Sequence, residues 1–302
     1  MSILRWMQDR LVSWLIDEDI PDESLLCNFE QLQYEIQRGD VLLVEGQSRI
    51  SEVIKTITHS SWSHSALYVG RLHDIQDDRL CELVQCHYHG DTREQLVIEA
   101  LLGQGTIVAP LSKYRGYHLR ICRPKGLVPQ DAQAVIHYAL EHLGSDYDVR
   151  QLVDLARFIF PYHMLPRRWR SSLFAHNAGI PTSTVCSSMI ASAFARVHYP
   201  ILPVVRREGE GRLHFFKRNH RLFTPNDFDY SPYFEIIKYP LMGLDDLAAY
   251  RNLPWKEGLV CNDDGDCYHQ GDPSTVQPFN RVIDEVKAEV EEVAVPDAKG
   301  GV

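Results

Sequence analysis

The chain has 302 residues, 44% hydrophobic and 24% charged. These are ordinary globular values that exclude collagen-like, disulfide-scaffold and wholly disordered classes. Lysine and arginine total 31 against 41 acids, a net charge of −10, and such a field repels phosphate backbones and argues against general nucleic-acid binding.

No run reaches the roughly 18 to 20 apolar residues that cross a bilayer. Seven cysteines, neither dense nor even in number, read as free thiols in a reducing compartment. The N-terminus lacks the apolar core and cleavage site of a signal peptide, so a cytoplasmic location is expected.

In chain order, residues 3 to 16 predict an amphipathic helix, with Ile3, Leu4, Met7, Leu11, Trp14 and Leu15 at helical spacing. It reads as a docking helix on the protein's own core. The alternative is peripheral membrane contact, for which Trp6 and Trp14 suit headgroup depth while nearby acids oppose anionic lipid. After Gly39-Asp40, Val41 to Val44 reads as a buried strand. Ile50, Val53, Ile54 and Ile57 form a helical stripe behind a capping Ser48.

Residues 63 to 70 read as a strand that places His64, Ala66 and Tyr68 on one face. Residues 95 to 100 form another, with Val97 and Glu99 on one face, and 118 to 124 a further one. Helices are predicted from about 131 to Gly144, from about 148 to Pro161 and from near Val185. Thr224-Pro225-Asn226-Asp227 has the form of a helix start, and Ser231-Pro232 repeats its cap-then-Pro pattern.

Residues 254 to 280 are rich in loop-formers, an acidic helix is expected from 281, and the last residues read as disordered. The expected organisation is an N-terminal helix and linker (1–36), a catalytic domain (37–240) and a C-terminal extension (241–302). The class is α+β, a small antiparallel sheet or barrel packed against helices.

Cys186 is the leading candidate for chemistry. It opens a helix, where the macrodipole and unpaired N–H groups favour thiolate, the nucleophilic form. A thiolate needs a base, and the base needs an orienting group. His64 and Glu99 lie on strands 35 residues apart, and an acid within the hydrophobic run QLVIEA is costly without a partner. Ser187 is small enough to let a substrate approach, and Tyr68, on the His64 face, is a candidate for lining the site, with a packed aromatic as the preferred reading.

Cys81, Cys86, His87 and His89 could suggest a metal. On a strand, however, Cys86 faces away from both histidines, and a polar hairpin between the His and Glu strands is the preferred reading. Cys261 and Cys267 bracket NDDGD, which lacks the acids of a calcium loop. A disulfide between them is the less favoured state in a cytosolic protein. Residues 204 to 221 are locally basic and read as a solvated hairpin, with an anion or lipid-phosphate site as the alternative.

The ordered series GDVLL, SWSHSALYVG, VIEA, GSDYD, VCSSMI and the Thr-Pro then Ser-Pro run at 224 to 232 resembles the circularly permuted papain-like cysteine hydrolases, the NlpC-type fold of the YiiX and YaeF group. That resemblance spans about residues 37 to 236. It implies a permuted papain-like fold in which Cys186 is the nucleophile, His64 the base and Glu99 the orienting residue. It also implies a thiol hydrolase acting on an amide through an acyl-enzyme; no cofactor or metal is expected. The substrate would be a small molecule, a peptide or a lipid. A related acyltransferase type moves acyl groups from phospholipids on a permuted papain-like fold, so lipid-directed chemistry by the same triad is the alternative. The Glu45-Gly46-Gln47 step after the first strand departs from the commonest form of the group.

Overall fold

The computed structural model describes residues 27–101, 104–145, 185–208, 212–240, 248, 251, 259–261, 266–269 and 272–278. The helices expected at 3 to 16, 148 to 161 and beyond 281, and Tyr147 of the GSDYD step, lie outside these residues. Contacts divide the chain into two units, 1–242 and 243–302.

The first unit is built on a six-stranded antiparallel open sheet. In chain order the elements are α1 (Phe29–Glu35), β1 (Val41–Glu45), α2 (Arg49–Thr58), β2 (His64–Arg71), α3 (Asp78–His87), β3 (Gln95–Leu101), β4 (Gly105–Pro110), β5 (His118–Pro124) and α4 (Pro129–Glu141). They continue with α5 (Val185–Arg196), β6 (Val204–Glu208), β7 (Arg212–Phe216), α6 (Pro225–Tyr230) and β8 (Phe234–Ile237). The strand order is β4-β3-β2-β1-β5-β8, and β6 and β7 form a separate ribbon.

Both faces of the sheet are covered, so its strands are near-continuous hydrophobic runs. Leu67 and Val69 of β2, with Leu96 and Ile98 of β3, pack in a helical layer with Val135 and Ile136 of α4 and Ile190 and Phe194 of α5. Ala66, Tyr68 and Val97 belong to a second layer with Phe29 and Leu32 of α1. Gly39, two residues before β1, has φ +90°, a conformation that penalises any Cβ. It lets the backbone fold against β2, where Gly39 N–H donates to Tyr68 O and Tyr68 N–H donates to Asp40 O, each at 2.9 Å.

Local signals start α2 and α6 where expected. Ser48 accepts from Ser51 N–H at the start of α2, and at α6 Asp227 accepts from both the backbone N–H and the hydroxyl of Thr224. Ser231-Pro232, expected to begin another helix, ends α6 instead and leads into β8. Its hydroxyl donates to Ile201 O and accepts from Tyr233 N–H, so it ties a turn rather than capping a helix.

The polar hairpin expected around Cys81 to His89 is helix α3. Asp77 accepts from Arg79 and Leu80 N–H at its start, and Leu80 and Val84, four residues apart, are its buried residues. Two anchors at i and i+4 suffice for a helix although the rest of the segment is polar.

The second unit holds a three-stranded sheet of β9 (Leu259–Cys261), β10 (Asp266–His269) and β11 (Asp272–Pro278), where loops were expected. The Cα partner of Cys267 is Cys261, and Cys267 is disulfide-bonded. The expectation of free thiols throughout therefore fails at Cys267, while Cys27, Cys81, Cys86, Cys122 and Cys186 are free. Among the described residues, no helix is long and apolar enough to cross a membrane.

Candidate active site

Cys186 is the second residue of α5, within the first turn whose N–H groups have no intrahelical partner. The α5 helix packs on β2 and β3 from the helical layer. Glu99 shares strand parity with Val97 of the opposite layer. His64 is the first residue of β2, at the end of the sheet, where its ring reaches both groups. The antiparallel register that pairs Leu67 with Ile98 makes His64 and Glu99 diagonal neighbours on one face.

His64 Nε2 lies 2.7 Å from Glu99 Oε2, and the imidazole is near enough to the Cys186 side chain for each to shift the ionisation of the other. With Nε2 donating to the carboxylate, Nδ1 is left for the sulfur. The structure thus brings together the three residues singled out for chemistry.

The charges reinforce one another. Burial opposes ionisation of Cys186, but the positive charge and hydrogen bond of His64, with backbone and side-chain bonds from Ser65, bring its thiol down to about 6. Burial likewise disfavours imidazolium, yet Cys186 and Glu99 push His64 up to about 10. Burial would raise Glu99, but His64 and Lys113 hold it down at about 2. Near neutral pH the favoured state is thiolate, imidazolium and carboxylate in a row.

Sequence reasoning missed the residues that complete this set. Glu99, fully buried, accepts from Lys113 Nζ at 2.7 Å and from the Tyr114 hydroxyl. Burial and the Glu99 charge push the Tyr114 phenol well above its ordinary value, so it remains a donor. Both residues lie in a short 3-10 turn after β4, and no local motif marks them. Ser65 was legible only as a strand residue.

Of the two candidates for substrate contact, Tyr68 takes its preferred reading as a packed aromatic and Ser187 is placed otherwise. Tyr68 is packed in the second layer, and its hydroxyl accepts from Gln95 Nε2 at 2.8 Å. Ser187 is fully buried and shares a 3.2 Å hydrogen bond with Ser65. Strand parity was right for Tyr68, but that face is covered by α1.

A cavity of about 110 Å³ opens beside the set, lined by Gly46, Ser48, Ser51, Ser63, His64 and Lys113 among others. Gly46 N–H donates to Ser63 Oγ at 2.9 Å, and a Cβ there would come within 2.3 Å of Ser51 Oγ. Glycine in the Glu45-Gly46-Gln47 step is therefore a packing requirement. Beside it Glu45 accepts from His118 Nδ1 at 2.7 Å. A larger cavity of about 240 Å³ lies at the other end of α5, between Ala191 and Ala195 and the β7 strand. Its walls carry none of the three candidate residues. Among the described residues, no group of three or more His, Cys, Asp or Glu side chains could hold a metal ion.

The chain order of a histidine, an acid and then a cysteine at a helix start is the order that the resemblance to permuted papain-like hydrolases led us to expect. Residues 35–158 match the family of permuted papain-like amidase enzymes, YaeF/YiiX, C92. The resemblance read from the motifs is therefore found independently, over a segment that contains His64 and Glu99 and stops before Cys186. Among solved structures, the crystal structure of metalloprotein yiiX from Escherichia coli O157:H7 is similar at 16% identity. It covers 67% of this chain and 97% of that one, with a TM-score of 0.40. No curated protein matches.

Proposed function

We propose that the protein is a thiol hydrolase that cleaves an amide through an acyl-enzyme on Cys186. The observation that carries this reading is the continuous chain from the Cys186 thiol, lowered to about 6, through His64 to a fully buried Glu99 carboxylate.

The thiolate attacks the acyl carbon and the carbonyl π pair moves onto oxygen. The Cys186 backbone N–H, at the helix start, donates to that oxyanion, an interaction typically worth about 3 kcal/mol. As the tetrahedral intermediate collapses, the imidazolium of His64 gives its proton to the departing amine and the carbon–nitrogen bond breaks, leaving a thioester and neutral imidazole. His64 then takes a proton from water, whose oxygen attacks the thioester. The released thiolate and the reprotonated ring restore the starting ion pair. Glu99 keeps the imidazole oriented throughout, and Lys113 and Tyr114 hold Glu99.

Cys186→Ala is expected to abolish turnover across an amide library while leaving the thermal unfolding midpoint within a few degrees of wild type. Mass spectrometry of wild-type protein exposed to cell extract should find an acyl adduct on Cys186 that names the donor. Undiminished turnover by Cys186→Ala would remove the proposal.

A further inference from the structure

The cavity beside His64 holds polar groups that the chemistry above does not use. Val44 of β1 is the Cα partner of His64, so Gly46 and Ser63 lie just past that pair, at the end of the same two strands. Ser48 caps α2, and Ser51 sits in the first turn of that helix. Ser48, Ser51 and Ser63 are 4%, 7% and 2% exposed, and all three line the cavity. A buried hydroxyl needs a partner for its proton as well as for its oxygen.

Here protons outnumber acceptors. Ser63 Oγ accepts from Gly46 N–H at 2.9 Å, and among the described residues no acceptor takes its own proton. Ser48 Oγ accepts from Ser51 N–H at 3.3 Å and shares a 2.9 Å bond with Ser51 Oγ. Whichever hydroxyl of that pair donates, the proton of the other is left over. Lys113 Nζ spends one of its three N–H groups on Glu99. Glu99 is the one acid among the described lining residues, and His64, Lys113 and Tyr114 already donate to it. Two hydroxyl protons and two ammonium protons therefore remain for an occupant. With His64 as imidazolium and Lys113 as ammonium against the Glu99 carboxylate, the lining carries one net positive charge. The start of α2 adds the positive end of its dipole.

We propose that this cavity is the subsite for a carboxylate on the departing amine, so that the bond cut is an acyl–amino-acid amide and the amine released is an amino acid. A carboxylate accepts about four hydrogen bonds, which matches the protons on offer, and its single charge matches the lining. A carboxamide would bring two more protons to a wall that already has an excess. At about 110 Å³ the cavity has the volume of roughly four waters, room for a carboxylate and its adjoining carbon rather than a chain. His64, which protonates the departing nitrogen, is on the wall and Cys186 is not, so the occupant lies on the leaving side of the scissile bond. The acyl carbon passes to Cys186 Sγ and then to the oxygen of water, and the amino acid leaves with the His64 proton on its nitrogen.

This inference rests on the hydrolase reading, and measuring binding apart from turnover keeps the two distinct. Full-length Cys186→Ala is titrated with N-acetyl-L-alanine and with N-acetyl-L-alaninamide, followed by the His64 ring NMR shifts. The acid is expected to bind at least about 100-fold more tightly than the amide, and wild type should hydrolyse it with the larger kcat/KM. Ser63→Ala in the same background should cut the binding preference about 10-fold. Should that variant not fold by circular dichroism, Ser51→Ala carries the same test. Equal binding of the two compounds, or binding of neither, would overturn the inference, as would a preference that the serine variants leave intact. Inorganic phosphate binding as tightly as the acid would overturn it too, by making the cavity a general anion site. A serine-dependent preference in a protein that turns over no amide would support the carboxylate site and remove the hydrolase reading alone.

Discussion

Replacing Glu99 with Gln keeps the shape of the side chain and removes its charge. The carboxylate oxygen lies 2.7 Å from His64 Nε2. Taking about 4 Å between the charge centres and an effective dielectric constant of about 20, the attraction is about 4 kcal/mol. Lys113, 2.7 Å from the other carboxylate oxygen, cancels part of that field at the ring, and the Gln carbonyl can still accept from Nε2. About 2 to 3 kcal/mol should therefore be lost, or about 2 pH units in the deprotonation of the imidazolium.

The sign differs for the two limbs. In the wild type the thiolate–imidazolium pair forms as pH rises through about 6 and dissolves through about 10. Removing a negative charge makes imidazolium easier to deprotonate and leaves thiolate no harder to form. In Glu99→Gln the upper limb should fall to about 8, while the lower limb stays or drops slightly. The ring NMR shifts of His64 report the upper limb and ultraviolet thiolate absorbance the lower. An upper limb that stays near 10 would refute the reasoning, as would a lower limb that climbs toward the range of an ordinary thiol.

Two further outcomes follow from the same contacts. Ser65→Ala removes a side-chain hydrogen bond that favours the Cys186 thiolate. Such bonds to charged groups contribute about 1.5 kcal/mol or more, so the alkylation midpoint of Cys186 should rise by about one pH unit. An unchanged midpoint would show that Ser65 acts through its backbone alone. Phe194, fully buried on α5, has its ring centroid 5.5 Å from that of Phe234 and 5.4 Å from that of Tyr199. Phe194→Ala should cost about 3 to 5 kcal/mol and lower the thermal midpoint by about 10 °C, whereas a loss below about 1 kcal/mol would mean that the neighbouring rings collapse into the space.

The three candidate residues were readable because each carries a local mark. Cys186 sits at a helix start, His64 begins a strand, and Glu99 is an acid in an apolar run. Period-two alternation is a property of the chain itself, so it also put Tyr68 and His64 on one face. It could not say what covers that face, because α1 and β2 meet only through folding. The helix α3 was misread for a related reason. Its polar, cysteine- and histidine-rich composition hides a two-residue apolar stripe that only the core interprets.

Local chemistry, then, established strands β1, β2, β3 and β5, the starts of α2, α4, α5 and α6, and the order His64, Glu99, Cys186. Tertiary contact alone decided that Lys113 and Tyr114 clamp Glu99, that Ser65 favours the Cys186 thiolate and that Ser187 turns inward. Propensity and periodicity act over a few neighbouring residues. A buried charge instead takes whichever donors the fold carries to it, and their place along the chain leaves no pattern to read.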